Sequence, residues 1–266
     1  MPTPEPADIP IFLLCGGQGT RLGESAAMRP KPMLDIGEKP MLLHIMQWYG
    51  HFGFRRFVLC TGHRSEVISG YFANFASLNS DFTVDLAQQS ISYHHQELMP
   101  DWQVTVAFTG IGAMTGARLA RAAARYLGEA QHFGVSYGDG LTDADLAHEL
   151  RFHLGHGRLG TILGVQPPSQ FGRLALHEDG SASFTEKPRR TDDVVNGGFF
   201  FFRRAFLDYL SPDEGCVLEQ EPLRRLTSDG ELRVYRHGGF WSCVDTLRDR
   251  EEVQGLWEAG AGPWKA

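Results

Sequence analysis

The stretch Ile9-Pro10-Ile11-Phe12-Leu13-Leu14-Cys15-Gly16-Gly17-Gln18-Gly19-Thr20-Arg21-Leu22 decides how the rest of the chain is read. Its first half is an apolar run of strand length, and its second half breaks at once into glycines. An apolar run with no polar alternation suits a strand buried on both faces, in a sheet covered by helices on either side. Glycines just past the strand let the backbone approach a phosphate and expose N–H donors. Thr20 adds a hydroxyl, and Arg21 adds a planar cation that can bind phosphate bidentately. The run is too short to span a membrane, and no basic segment of a secretory leader precedes it. Two familiar glycine motifs do not fit. No lysine stands where G-x-x-x-x-G-K-[ST] needs one, and Leu22 takes the third-glycine place of a G-x-G-x-x-G begun at Gly17.

Working outward, Arg29-Pro30-Lys31-Pro32-Met33 follows the loop. The two prolines are expected to hold Lys31 in a stiff extended segment that delivers it to the same phosphates. Met41, Leu42, Ile45, Met46, Tyr49 and Phe52 then recur at helical spacing, with Pro40 in the first turn. Residues 57–60 read as a strand, and Ser65 as the N-cap of a helix running toward Phe75. The alternation continues with strands over 104–108, 133–136 and 161–165 and helices over 115–127 and 144–154. This pattern predicts an α/β fold with a doubly wound, mostly parallel sheet, whose ligands sit beyond the carboxyl ends of its strands. After Val165 the runs shorten. Those over 173–176, 183–186 and 198–202 predict a smaller, partly antiparallel lobe, followed by helices near 221–227 and 246–257. With no repeat or low-complexity linker, a single domain over 9–264 is expected, after a loose tail over 1–8 that carries Pro2, Pro4 and Pro6.

The 266 residues include 25 basic and 32 acidic side chains, a net charge of -7. A general nucleic-acid binder would carry a basic field, so an anion site here must be a local cluster of Arg and Lys. The four cysteines, Cys15, Cys60, Cys216 and Cys243, form no C-x-x-C pair. They read as reduced thiols, which fits a cytoplasmic protein. Asp139 lies in Gly138-Asp139-Gly140 after a buried strand, at the carboxyl edge of the predicted sheet. Asp245 follows the apolar run 240–244, where it is either a site carboxylate or the N-cap of the helix that starts at Thr246.

Longer runs carry a resemblance. Gly-Gly-x-Gly-Thr-Arg-Leu and Arg-Pro-Lys-Pro-Met are similar to the signature of sugar nucleotidyltransferases. Ile36-Gly37-Glu38-Lys39-Pro40-Met41, Tyr137-Gly138-Asp139-Gly140, Phe184-Thr185-Glu186-Lys187-Pro188, Asn196-Gly197-Gly198-Phe199-Phe200, Asp245-Thr246-Leu247-Arg248-Asp249 and Gly262-Pro263-Trp264-Lys265 resemble the glucose-1-phosphate cytidylyltransferase family. The likeness runs over nearly the whole chain from Ile9. It implies a Rossmann-like nucleotidyltransferase fold in which the smaller lobe binds sugar. It also implies a reaction of a nucleoside triphosphate with a sugar 1-phosphate, and homo-oligomers; neither nucleic acid nor membrane is involved. By resemblance, Arg21, Lys31 and Lys187 serve catalysis. Gly16, Gly17, Gly19, Thr20, Gly116, Arg118, Gly138, Glu186, Asn196 and Gly197 line the substrates, and Asp139 and Asp245 hold Mg²⁺. Glu186 is expected on sugar hydroxyls and Lys187 on the sugar phosphate, with Gly116 and Arg118 near the base or ribose. The chain departs from the family pattern at Ala113 and Ala117, beside the expected base pocket, at Ser169-Gln170-Phe171-Gly172-Arg173, and at His63-Arg64.

Three rival readings are open to test. Gly134-Val135-Ser136-Tyr137-Gly138 matches G-x-S-x-G, with Ser136 as the nucleophile and His237 as the base of a serine hydrolase. An elbow serine leads straight into a helix, whereas Gly138-Asp139-Gly140 prolongs a loop. Histidines at 94–95 and at 153 and 156 lack H-E-x-x-H and read as solvated or capping residues rather than zinc ligands. A non-catalytic nucleotide-binding relative is disfavoured, since every charged motif position is filled.

Overall fold

The computed structural model describes residues 4–19, 29–94, 99–166, 173–176, 181–185 and 194–265. Its strands are β1 (Pro10–Leu14), β2 (Asp35–Ile36), β3 (Lys39–Pro40), β4 (Arg56–Thr61), β5 (Phe82–Asp85), β6 (Ser90–Tyr93), β7 (Gln103–Phe108), β8 (His132–Tyr137), β9 (Gly140–Thr142), β10 (Gly160–Val165), β11 (Arg173–Leu176), β12 (Ala182–Thr185), β13 (Val195–Asn196), β14 (Phe200–Arg203), β15 (Leu232–His237) and β16 (Trp241–Cys243). Its α-helices are α1 (Met41–His51), α2 (Ser65–Ala73), α3 (Phe75–Asn79), α4 (Thr115–Tyr126), α5 (Leu146–His156), α6 (Glu221–Ser228) and α7 (Leu247–Glu258).

Eight strands form the central sheet, in the order β13-β10-β14-β8-β1-β4-β7 with β15 also pairing β10. β1 is parallel to β4 and β8, β4 to β7, and β10 to β15; β14 runs antiparallel between β8 and β10. β1 shows why this is a doubly wound fold. Successive side chains of a strand face opposite ways. Ile11 and Leu13 enter one core with α1, α5 and Val253 of α7, while Phe12 and Leu14 enter another with Leu119, Ala122 and Ala123 of α4 and Leu223 and Leu226 of α6. All five residues of β1 are buried, and each large apolar side chain so covered contributes roughly 1.5–3 kcal/mol.

Several expectations are corrected. Ser65 is the first residue of α2 rather than its N-cap. That place belongs to Arg64 in the left-handed region (φ 56°), and the Ser65 hydroxyl bonds the Thr61 hydroxyl at 2.8 Å. Pro40 caps α1 instead of standing in its first turn. The run 198–202 enters the central sheet as β14, so of the segments expected in the smaller lobe only β11 and β12 pair as a separate antiparallel hairpin. Within the described part of the tail, Pro6–Asp8 form a 3-10 turn, and Arg56 donates to the Asp8 carbonyl. The β5–β6 hairpin and β15 were absent from the sequence reading.

Candidate active site

The carboxyl ends of β1 and β8 lie side by side, with Leu14 opposite Tyr137. The glycine loop and Asp139 therefore leave the sheet together, and Gly138 N–H donates to Leu14 O at 3.2 Å. A cleft of about 300 Å³ opens there, lined by Leu14, Cys15, Gly17, Gly19, Lys31, Pro32, Gly138, Asp139 and Asp245. Ligands of open α/β sheets bind at this edge.

Two devices bring the charged groups together. β9 pairs antiparallel with β16, Gly140 opposite Cys243, and Val244 N–H donates to Asp139 O at 3.0 Å. That short ladder puts Asp245 next to Asp139 although 106 residues separate them in sequence. On the other side, Pro32 packs on Gly138, where a Cβ would lie 2.7 Å from the proline Cγ. The glycine is what allows the two segments to interlock. Lys31 opens a 3-10 turn, Lys31–Met33, closed by Leu34 N–H to Lys31 O at 3.1 Å. The expected extended segment is thus a turn, and Lys31 is only 9% exposed.

The ammonium of Lys31 lies between the two carboxylates, 2.6 Å from Asp139 Oδ2 and 2.6 Å from Asp245 Oδ1. Burial alone would lower its pKa, but the Asp139 charge and the hydrogen bonds it donates to both aspartates outweigh burial and raise it. Lys31 is therefore a full cation at neutral pH. Asp245 is free of the capping role. Thr246 caps α7 in a reciprocal capping box with Asp249, whose carboxylate also accepts from Asp245 N–H at 3.0 Å. Asp139, Asp245 and Cys243 each offer a donor atom within 4.8 Å of the others. Burial, then Asp139, pushes the Cys243 thiol up to about 12. It stays protonated, and the two carboxylates are the hard oxygen donors that Mg²⁺ takes.

The glycines divide by role. Among the described residues beyond its chain neighbours, no atom lies within 4 Å of where a Cβ would stand at Gly17, which lines the cleft. Gly19 has φ 64°, a conformation that L side chains rarely adopt. Gly16 lies directly under the Arg118 guanidinium, leaving no room for a side chain. Thr20, Arg21, Glu186 and Lys187 lie outside the described residues.

Arg118 and Gly116 both belong to α4. The buried Arg118 guanidinium donates to the carbonyls of Gly16 (2.8 Å), Thr61 (3.1 Å), Gly110 (2.7 Å) and Ile111 (3.1 Å) and to the Thr109 hydroxyl (3.0 Å). It holds the loop ends of β1, β4 and β7 together. At Gly116 a Cβ would meet Cys216 Sγ at 2.6 Å, so this glycine allows α4 to pack closely on the segment 216–218. Ala113 and Ala117 are buried as well. Asn196 Nδ2 donates to the Tyr137 hydroxyl at 3.2 Å and its Oδ1 accepts from Gly198 N–H at 2.8 Å; Gly197 O accepts from Trp241 Nε1 at 2.8 Å.

Glu219 was not singled out from the sequence. Its carboxylate accepts from the Tyr137 hydroxyl at 2.6 Å and the Thr115 hydroxyl at 2.7 Å, joining α4, β8 and β13 across the sheet edge. It lies in a loop with no motif, so no local signal marked it.

The rival sites come apart. Ser136 is buried inside β8, not at a strand-to-helix turn, and His237 is held by Asp143 at 2.7 Å. His153 is buried rather than solvated and bonds His132 (3.1 Å) and Thr161 (2.9 Å); His156 accepts from Arg158 N–H at the end of α5. All four cysteines are free; Cys15 and Cys60 are buried, Cys216 and Cys243 half-buried. No helix among the described residues is long and apolar enough to cross a membrane.

The pattern of a family described as "Nucleotidyl transferase" matches residues 11–257. Glucose-1-phosphate cytidylyltransferase of Salmonella typhimurium is 42% identical over 253 residues, which cover 95% of this chain and 97% of that protein. A probable glucose-1-phosphate cytidylyltransferase of Bacillus subtilis is 37% identical over 95% of this chain and 98% of its own. Among solved structures, HddC from Yersinia pseudotuberculosis superposes with a TM-score of 0.67 at 20% identity, covering 94% of this chain and 99% of that one.

Proposed function

The chain belongs to the Nucleotidyl transferase family, and from that premise we propose that it joins CTP to glucose 1-phosphate, forming CDP-glucose and releasing pyrophosphate. The observation that carries this reading is the Lys31 ammonium seated between Asp139 and Asp245 at the cleft into which the glycine loop opens. The similarity to cytidylyltransferases at 42% and 37% identity supports the choice of base and sugar.

In this reaction a phosphate oxygen of the sugar 1-phosphate attacks the α-phosphorus of CTP. The new P–O bond forms as the bond to the bridging oxygen breaks, and pyrophosphate leaves. The nucleophile is anionic near neutral pH, so no general base is needed; the protein supplies alignment and charge neutralisation. Asp139 and Asp245 would hold Mg²⁺, whose bound charge stabilises the phosphates. Gly17 and Gly19 bring backbone N–H groups to the triphosphate. Lys31, with Arg21 from the adjoining loop, neutralises the leaving pyrophosphate. By resemblance, Lys187 and Glu186 serve the sugar phosphate and sugar hydroxyls, and Asn196 and Gly197 contact the sugar. Arg118 acts through Gly16, whose position it fixes.

Base choice has a physical scale. Cytosine offers an amino donor and an unprotonated N3 where uracil offers a carbonyl acceptor and an N3 donor. A pocket fixed for one leaves buried partners unpaired with the other, at about 1–3 kcal/mol per group. With glucose 1-phosphate fixed and Mg²⁺ present, kcat/KM for CTP should exceed that for UTP by about tenfold or more. A ratio near one, or a preference for UTP, would refute the cytidylyl assignment.

A further inference from the structure

We propose that Lys31 is a built-in counter-ion, which holds the Asp139 and Asp245 carboxylates together before any metal arrives and then yields them, moving its charge to the nucleotide phosphates. This rests on the reading of those aspartates as metal ligands. The argument begins with two carboxylates forced into proximity by the β9–β16 ladder. Without a cation between them the two negative charges would repel one another. The Lys31 ammonium removes that repulsion at 2.6 Å from each. Among the described residues, those two carboxylates are its only hydrogen-bond partners.

A divalent ion needs the same oxygens. Mg²⁺ binds carboxylate oxygen at about 2.0–2.1 Å, and an ammonium left in place would put a second positive charge in direct contact with it. The lysine is built to move. Its backbone is fixed by the Lys31–Met33 turn and by Pro32 against Gly138, while its flexible four-carbon stem borders the cleft into which the ammonium can swing. The triphosphate supplies the anion that replaces the lost carboxylates. Lys31 therefore weakens metal binding to the nucleotide-free protein and strengthens it once the nucleotide is present. Metal and nucleotide are thereby coupled through one side chain.

The test measures Mn²⁺ binding to the full chain, without nucleotide, from the electron paramagnetic resonance signal of the free ion. Lys31→Met and Lys31→Gln should each bind Mn²⁺ at least about tenfold more tightly than wild type, because one like charge a few ångströms away costs about fivefold even in bulk water and much more near a protein surface. Equal or weaker binding in these variants, with Asp139→Asn still abolishing it, would overturn the exchange alone. If Asp139→Asn and Asp245→Asn leave Mn²⁺ binding unchanged, the metal assignment falls and the exchange with it. A measurement on the wild-type protein guards against misfolding of the variants. In protein labelled with ¹⁵N-lysine, the Lys31 ammonium resonance should be visible without metal and lost or shifted as Mg²⁺ saturates the site. A resonance unmoved at saturation would equally overturn the proposal.

Discussion

Arg118 turns its guanidinium on the protein's own backbone. Five bonds from one planar group reach the carbonyls of Gly16, Thr61, Gly110 and Ile111 and the Thr109 hydroxyl. Burial lowers its pKa from the usual arginine value. The group remains charged, because arginine is effectively never deprotonated in proteins. The carbonyls belong to three separate loop ends, so the residue acts as a clasp for the wall of the cleft. Arg118→Ala should leave buried acceptors unpaired and cost about 3 kcal/mol or more in urea unfolding, with a raised KM for CTP as the Gly16 loop loosens. Arg118→Lys should not restore either property, since a single ammonium cannot span the same carbonyls. A loss below about 1 kcal/mol in Arg118→Ala, within the range of an ordinary surface change, would contradict the clasp.

At the scale of elements, the parts of the site that were legible are those announced by local chemistry. The apolar run 9–15 ending in glycines became β1 and its loop, and the run before Gly138-Asp139-Gly140 became β8, because a buried strand with glycine beyond it has few other readings. The α4 helix was likewise visible from its periodicity. What stayed hidden depended on partners distant in sequence. Periodicity can find β14 but cannot say that it lies antiparallel between β8 and β10. The exposed β5–β6 hairpin lacks a buried face to mark it, and β15 alternates too weakly on a half-exposed edge. The capping of α7 was readable in principle: Thr246-Leu247-Arg248-Asp249 has the spacing of a capping box, and recognising it would have released Asp245 for the site. Lys31 lines the cleft, and its two flanking prolines fit a 3-10 turn as well as an extended segment. Its contacts with Asp139 and Asp245 come from the β9–β16 ladder.

The molecule as a whole should be sensitive to acid. His153 is buried on α5, and burial first, then the charges of His132, His156 and Arg203, lowers its pKa from 6.5 to about 3. Its neutral form is favoured in the fold. As pH falls below 6.5 the unfolded chain takes up the proton first, so stability is lost progressively down toward pH 3. His132 and His156 are lowered too, mainly by burial, and add to the same limb. Glu149 works in the opposite direction. Burial raises its pKa well above 4.5, so it loses stability for the fold as pH rises past that value. In the unfolding free energy between pH 6.5 and pH 5, His153→Gln should flatten the slope by about 1 kcal/mol per pH unit. An unchanged slope would show that His153 does not carry the limb.

The central claim is that two distant strands bring Asp139 and Asp245 to one cleft so that a nucleotide can be transferred there. Turnover of Asp139→Asn and Asp245→Asn, with CTP, glucose 1-phosphate and Mg²⁺, tests it directly when thermal unfolding is followed in parallel. Each substitution keeps the size of the side chain and removes its charge. The account predicts that kcat/KM falls by about a thousandfold, the scale of several kcal/mol of lost charge stabilisation, while the unfolding midpoint hardly moves. Near-normal turnover in either folded variant would contradict it.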